Sequence, residues 1–183
     1  MIYTCLINTN IGEVRASAEN GALTGLWFVG QKHYPAQTDS WIESKESPVF
    51  ELLCVWLSDY FSGKRPELNI KLNPNGTAFQ KSVWEMLLKI PYGQVTTYGE
   101  IAKQLNCKSA RAVGGAIGHN PISILIPCHR VIGSNGNITG YAGGTDKKRV
   151  LLQIESQEIK YTGFRVGYSA DDISNAFSVD VCD

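Results

Sequence analysis

Apolar and polar side chains alternate through residues 1–30, with Ile2, Thr4 and Leu6 on one parity and Val14, Ala16 and Ala18 repeating the pattern further on. A period of two sends successive side chains to opposite faces, which predicts half-buried strands. Asn20-Gly21 is a two-residue hairpin signal, and the run LTGLWFV follows it. Residues 1–30 therefore predict a small antiparallel sheet. Between residues 41 and 61 the period lengthens. Phe50, Leu53, Leu57 and Phe61 lie three to four apart, and Gly63 is placed to stop a helix. The N-terminal part thus reads as a sheet with a helix packed on it.

Residues 71–77 contain LNPNG, turn formers without apolar periodicity, and mark the best domain boundary. Beyond it, Phe79, Val83, Met86, Leu87 and Ile90 share one side of a predicted helix over 79–90, ended by Pro91 and the turn Tyr92-Gly93. A short helix over 98–105 follows, then the turn Asn106-Cys107-Lys108 and a helix over 110–118 with Ser109 as N-cap. Two short helices joined by three residues form a helix-turn-helix candidate, although an αα-hairpin inside a helical core has the same spacing. The second helix offers Ala110, Ala112, Gly114, Gly115 and Ala116 with a single long side chain, Arg111. Reading base edges would need several long donors and acceptors. This helix suits close backbone approach instead, a need that must offset the ~1 kcal/mol each interior glycine costs relative to alanine.

Composition narrows the class. Hydrophobic residues make up 43% and charged residues 19%, ordinary globular usage that argues against a disordered or fibrous chain. The 183 residues allow one large domain or two small ones. No secretory signal opens the chain and no apolar run reaches membrane-spanning length, so neither export nor a membrane partner is expected. Cys5, Cys54, Cys107, Cys128 and Cys182 are scattered without a C-x-x-C pair. Free thiols in a reducing compartment fit this better than a disulfide framework.

Lys plus Arg equals Asp plus Glu at 17 each, which at first excludes binding of nucleic acid by bulk charge. The zero is a sum of unlike parts. Residues 1–75 carry a net −2 and residues 156–183 a net −3, whereas residues 76–155 carry +5. Positive charge is concentrated where the helix-turn-helix lies, so neutrality of the whole does not exclude nucleic acid.

The apolar run PISILIPCHRVI is interrupted by Cys128, His129 and Arg130. A lone cysteine in such a run is often a small buried hydrophobe. Pro127 before it and Asn120-Pro121 at the start of the run shape the segment, which favours a reactive role. A reactive cysteine needs a base or a positive charge to reach the thiolate. His129 could be that base; adjacent residues of an extended strand face opposite ways, so a bridging water is the expected link. An imidazole base also wants an acceptor on its other nitrogen, and Glu155, ending the helical stretch KKRVLLQIE, is a candidate whose plain alternative is a solvated helix-end charge. In SNGNITGYAGG, glycines around Tyr141 suit a pocket wall for a flat ligand, or an ordinary loop.

Tyr98, RAVGGA at 111–116, Asn120-Pro121, IPCHRV at 126–131, GYAGG at 140–144 and Glu155 together resemble the O6-alkylguanine-DNA alkyltransferases, also called methylated-DNA-protein-cysteine methyltransferases. The likeness is dense over residues 79–155. It implies an α+β protein: a ribonuclease H-like N-terminal domain at 1–75, a winged-helix-like DNA-binding and alkyl-transfer domain at 76–160, and an extension at 161–183. It also implies a monomer that repairs double-stranded DNA containing alkylated guanine, with O4-alkylthymine as a further substrate, needs no cofactor or metal, and works in the cytoplasm, or the nucleus of a eukaryote. Cys5, His33 and Cys54 are too few and scattered for the structural zinc site of some family members.

Carried over residue by residue, the resemblance makes Cys128 the alkyl acceptor, His129 the base acting through water and Glu155 the acceptor that orients it. Asn120 braces the turn, and Tyr98 helps protonate the leaving guanine. Arg111 fills the gap left by the flipped nucleotide, an extrusion needed because the alkyl carbon is unreachable inside a duplex. Val131, Tyr141, Ala142 and Gly143 line the guanine pocket, and Gln80, Gly99, Asn106 and Ser134 contact the DNA backbone. Two rivals remain: an alkyltransferase-like module that binds the lesion without repair, against which Cys128 speaks, and a cysteine hydrolase on Cys128 and His129, which would recycle its thiol.

Overall fold

The computed structural model describes residues 1–9 and 11–156; the expected extension at 161–183 lies outside them. Within these residues the chain forms two compact units that meet between Pro74 and Asn75. The first holds a four-stranded sheet in the order β3-β2-β1-β4, built from β1 (Tyr3–Thr9), β2 (Gly12–Glu19), β3 (Ala22–Phe28) and β4 (Ile42–Glu43). β1 and β2 run antiparallel with Cys5 opposite Ala16, and β2 and β3 antiparallel with a bulge at Ser17/Ala18. Asn20 (φ 50°) and Gly21 (φ 73°) take the two positive-φ positions of the tight turn between β2 and β3.

The helix expected over 41–61 begins later. Ile42 and Glu43 pair in parallel with Tyr3 and Thr4 as β4, and α1 spans Pro48–Phe61. Pro48 accounts for the start: proline suits the first helical turn, where its missing N–H costs nothing. α1 buries Phe50, Leu53, Leu57, Tyr60 and Phe61. Gly63 at φ 82° ends it, with Lys64 N–H donating to Asp59 O and Gly63 N–H to Tyr60 O. The proposed linker is partly ordered by pairing, since Leu23 N–H donates to Lys71 O and Asn73 N–H to Leu23 O.

The second unit contains α2 (Ala78–Leu88), β5 (Thr96–Thr97), α3 (Tyr98–Gln104), α4 (Ala110–Gly118), β6 (Val131–Ile132) and α5 (Thr145–Glu155). Thr77 and Gln80 form a reciprocal capping box at the start of α2. Trp84 on α2 donates its indole N–H to Ala116 O of α4 at 2.9 Å. α3 ends with Asn106 at φ 51°, Cys107 N–H donating to Ala102 O and Asn106 N–H to Lys103 O. Asn106 tolerates that left-handed position better than most non-glycine residues, and this fixes the turn into α4. Ser109 caps α4 by accepting from Ala112 N–H. β5 and β6 pair in parallel, which brings the chain before α3 beside the chain after Cys128.

Candidate active site

Cys128, His129 and Arg130 form a single 3-10 turn, not the extended strand assumed for adjacent side chains. Two observations build the turn. Pro127 (φ −81°, ψ 66°) precedes it, and Cys128 N–H donates back to Ile126 O at 2.8 Å. Asn120, buried, accepts from Ile122 N–H at 3.0 Å and donates to Ile126 O at 2.9 Å and Ile122 O at 3.3 Å. One amide side chain thus satisfies three backbone groups of a segment buried from Ile122 to His129, where unmet polar groups would be costly.

Glu155 is wholly internal, which removes the solvated helix-end alternative. Its Oε1 lies 2.7 Å from His129 Nε2, and Arg130 donates to Oε2 from Nε at 2.8 Å and to Oε1 from a terminal nitrogen at 3.0 Å. The second Arg130 nitrogen donates to Ile90 O at 2.6 Å. Burial on its own would raise the Glu155 carboxyl, but the charge and hydrogen bond of His129, together with Arg130, outweigh it and hold the group well below the usual carboxylate range. With Nε2 bonded to the carboxylate, Nδ1 is the basic nitrogen of His129.

Burial pushes the Cys128 thiol up. Asn120, the Lys148 ammonium and the backbone N–H groups of Cys128 and His129 act against that rise without cancelling it. The resting sulfur is therefore a thiol, and it becomes a nucleophilic thiolate only where a base takes its proton. Tyr98, at the start of α3, donates from its hydroxyl to Thr139 O at 3.0 Å. Burial first and the charge of Cys128 second raise its pKa, so it stays a proton donor at neutral pH. Tyr141 is raised well above its ordinary value by the same two causes, its buried hydroxyl beside Ser123.

Lys148 was not among the residues singled out from sequence. Its side chain is fully buried, and Nζ donates to Val131 O at 2.5 Å, Thr139 O at 2.9 Å and Gly140 O at 3.4 Å. It also sits 5.9 Å above the Tyr98 ring. A signal was available: Lys148, Leu151, Leu152 and Glu155 fall at three-to-four spacing on the buried face of α5. Arg130, quoted only as part of a motif, is likewise a structural partner of the site.

The other residues are more dispersed. Arg111, Gly99, Asn106 and Ser134 are exposed, whereas Val131 is buried in β6 with its carbonyl taken by Lys148. Gln80 uses its side-chain oxygen to accept from Thr77 N–H. Ala142 and Gly143 are half-buried. The arrangement brings a buried thiol, an imidazole bonded to a carboxylate, a phenol and a buried ammonium into one unit, which also holds a helix of small residues carrying Arg111. No helix among the described residues is long and apolar enough to cross a membrane.

Comparison with known proteins agrees. The family model described as 6-O-methylguanine DNA methyltransferase, DNA binding domain, matches residues 78–157. A methylated-DNA–protein-cysteine methyltransferase of Methanosarcina acetivorans is 44% identical over 155 residues, covering 84% of this chain and 98% of that relative. Its counterpart in Mycobacterium bovis is 43% identical, over 85% of this chain and 93% of its own. The crystal structure of the Mycobacterium tuberculosis O6-methylguanine methyltransferase matches with a TM-score of 0.79 at 40% identity, covering 88% of this chain and 96% of that one. The Mycobacterium tuberculosis OGT in complex with DNA matches at 0.76 and 40% identity, over 85% and 92%. At this identity over most of both chains, an α+β protein with a cysteine, histidine and glutamate so arranged belongs to the methylated-DNA–protein-cysteine methyltransferase family.

Proposed function

We propose that this protein repairs DNA by moving the alkyl group of O6-alkylguanine onto Cys128. The observation that carries the reading is the hydrogen-bonded chain Arg130–Glu155–His129 running behind a buried Cys128. His129 Nδ1 takes the thiol proton through a water, and Glu155 steadies the resulting imidazolium. The thiolate attacks the alkyl carbon, the bond from that carbon to guanine O6 breaks, and guanine leaves with a proton relayed by Tyr98. A thioether remains. A thioether is inert to water at neutral pH, so each molecule acts once.

Arg111 enters the base stack in place of the extruded nucleotide, and the small residues of α4 let the backbone approach the minor groove. Asn120 braces the turn; Val131, Tyr141, Ala142 and Gly143 surround the base; Gln80, Gly99, Asn106 and Ser134 contact the DNA backbone. O4-alkylthymine is a second substrate of the same chemistry. Family membership supports reading the first unit as ribonuclease H-like and the second, residues 76–160, as a winged-helix-like alkyl-transfer domain. A monomer in the cytoplasm is the setting this reading implies.

Incubation with duplex DNA containing O6-methylguanine is expected to raise the intact mass by one methyl group, located on Cys128 by peptide mapping. Cys128→Ser should abolish transfer and keep binding. An unchanged mass with lesion-bearing DNA still bound would favour a lesion-binding module, and repeated turnover a hydrolase.

A further inference from the structure

Between Asn120 and Cys128 the backbone makes two three-residue rings. In the second, around Pro127, the Cys128 N–H donates to Ile126 O with φ −81° and ψ 66°, the relaxed form of a γ-turn. In the first, Leu125 N–H donates to Ser123 O at 2.8 Å around Ile124, whose φ is +70°. That is the rare, strained form. A β-branched residue is the least suited to it, and glycine would adopt it freely. Such outliers persist only where the surroundings over-determine them, and they cluster at functional sites.

The surroundings here do so. Asn120 grips Ile122 on one side of the strained ring and Ile126 on the other. Ser123 engages the Tyr141 hydroxyl, and Asn120 engages the Cys128 thiol. Ile126 O accepts from both Asn120 and the Cys128 N–H, so a shift of the first ring is passed directly to the cysteine. The Ile124 side chain is 1% exposed, which leaves the turn no room to rotate without expelling it.

We propose that Ile124 is a positioning residue for the alkyl transfer: its buried, branched side chain locks a left-handed turn that fixes the line along which Cys128 Sγ meets the alkyl carbon. This rests on Cys128 being the acceptor. Glycine at 124 would remove the strain and also the lock, widening the range of sulfur positions, while valine keeps the branch.

The test is single-turnover transfer from duplex DNA containing O6-methylguanine, measured against DNA concentration, with thermal unfolding of each variant. For Ile124→Gly the maximal rate should fall by roughly tenfold or more, since small misplacements of reacting groups are costly. Its half-saturating DNA concentration should stay within about twofold, and Ile124→Val should recover the wild-type maximal rate. Wild-type transfer by Ile124→Gly would overturn the proposal. So would parallel losses of stability, affinity and rate in both variants, which mean a merely structural residue. If Ile124→Gly does not fold, Ile124→Ala takes its place: a reduced maximal rate at unchanged affinity supports the lock, and a wild-type rate overturns it. Failure of the wild-type protein itself to carry a methyl group on Cys128 would instead refute the alkyl-transfer reading.

Discussion

Replacing Lys148 by methionine keeps the length of the side chain and removes its charge. Desolvation lowers the buried ammonium from 10.5 to about 8, with Cys128 acting in the opposite sense. At about 1.36 kcal/mol per pH unit, keeping the group charged at neutral pH costs the fold roughly 3 kcal/mol. Hydrogen bonds from the ammonium to the carbonyls of Val131, Thr139 and Gly140 offset this, at about 1.5–3 kcal/mol for a bond to a charged group. Lys148→Met therefore relieves one cost and strands three acceptors, and its net effect at pH 7 is small. The pH dependence separates the two. Unfolded Lys148 keeps its proton up to 10.5 and folded Lys148 releases it near 8, so between these values the unfolded chain binds more protons and wild-type stability gains with rising pH. Tyr98 and Tyr141 also titrate at alkaline pH, but in both proteins, while Cys128, which Lys148 helps to lower, sits higher in the variant and moves the difference in the same direction. Urea unfolding from pH 7 to 10 should show the wild-type minus variant difference growing by about 2.5 kcal/mol. A difference flat across that range would refute the assignment of a buried ammonium. Transfer at pH 7 should fall by on the order of tenfold, because Lys148 is one of the groups that lower Cys128 and it anchors the carbonyls that hold Tyr98.

Glu155→Gln keeps the shape of the residue and strips the charge shared by His129 and Arg130; urea unfolding at pH 7 should show a loss of about 3 kcal/mol or more, and transfer should drop by roughly 10²-fold. Glu155 is held low, so its stabilisation is complete above the ordinary carboxyl pKa and is lost as pH falls through the folded value; wild type and variant should converge in stability only below about pH 4.5. Gly115 is exposed and a Cβ there meets nothing within 4 Å, so Gly115→Ala should stabilise α4 by about 1 kcal/mol in a melt. The same variant should weaken binding to duplex DNA, and unchanged affinity would remove the close-approach role of that helix. Arg111→Ala should slow reaction with O6-methylguanine in duplex DNA more than with free O6-benzylguanine; equal losses would exclude a stack-filling role.

Legibility followed from how local each determinant is. The hairpin at Asn20-Gly21, the capped start at Ser109 and the apolar row of α1 are written in neighbouring residues, and the structure contains them, whereas α2 stops at Leu88, buries Val83, Trp84 and Leu87, and leaves Phe79 exposed. The pairs β1–β4 and β5–β6 are two residues long and parallel, with partners far apart in sequence. No periodicity exists in two residues, so Ile42–Glu43 read as part of a helix. Ile124 is the extreme case: a positive φ in isoleucine contradicts every local preference and is imposed by Asn120, Ser123 and the packed surroundings.

The charges of the second unit show the same division between local and imposed. Counted along the sequence, residues 76–155 hold nine cations and four acids. Lys148 and Arg130 are turned inward onto carbonyls and Glu155, and Glu155 is buried with them. Seven cations and three acids lie outward, among them the exposed Lys103, Lys108 and Arg111 of the helix-turn-helix, while Arg149 is occupied with Asp146. Sequence counting thus merges two populations: outward cations, free to take up phosphates under the proposed function, and inward ones held against carbonyls and Glu155 around the thiol, the imidazole and the phenol. Only the outward set enters the salt dependence of DNA binding, at about −0.9 in log–log slope per phosphate neutralised. Lys148→Met should therefore leave that slope unchanged while reducing transfer, whereas Lys108→Ala should make the slope shallower by about one and spare the chemistry once DNA is saturating.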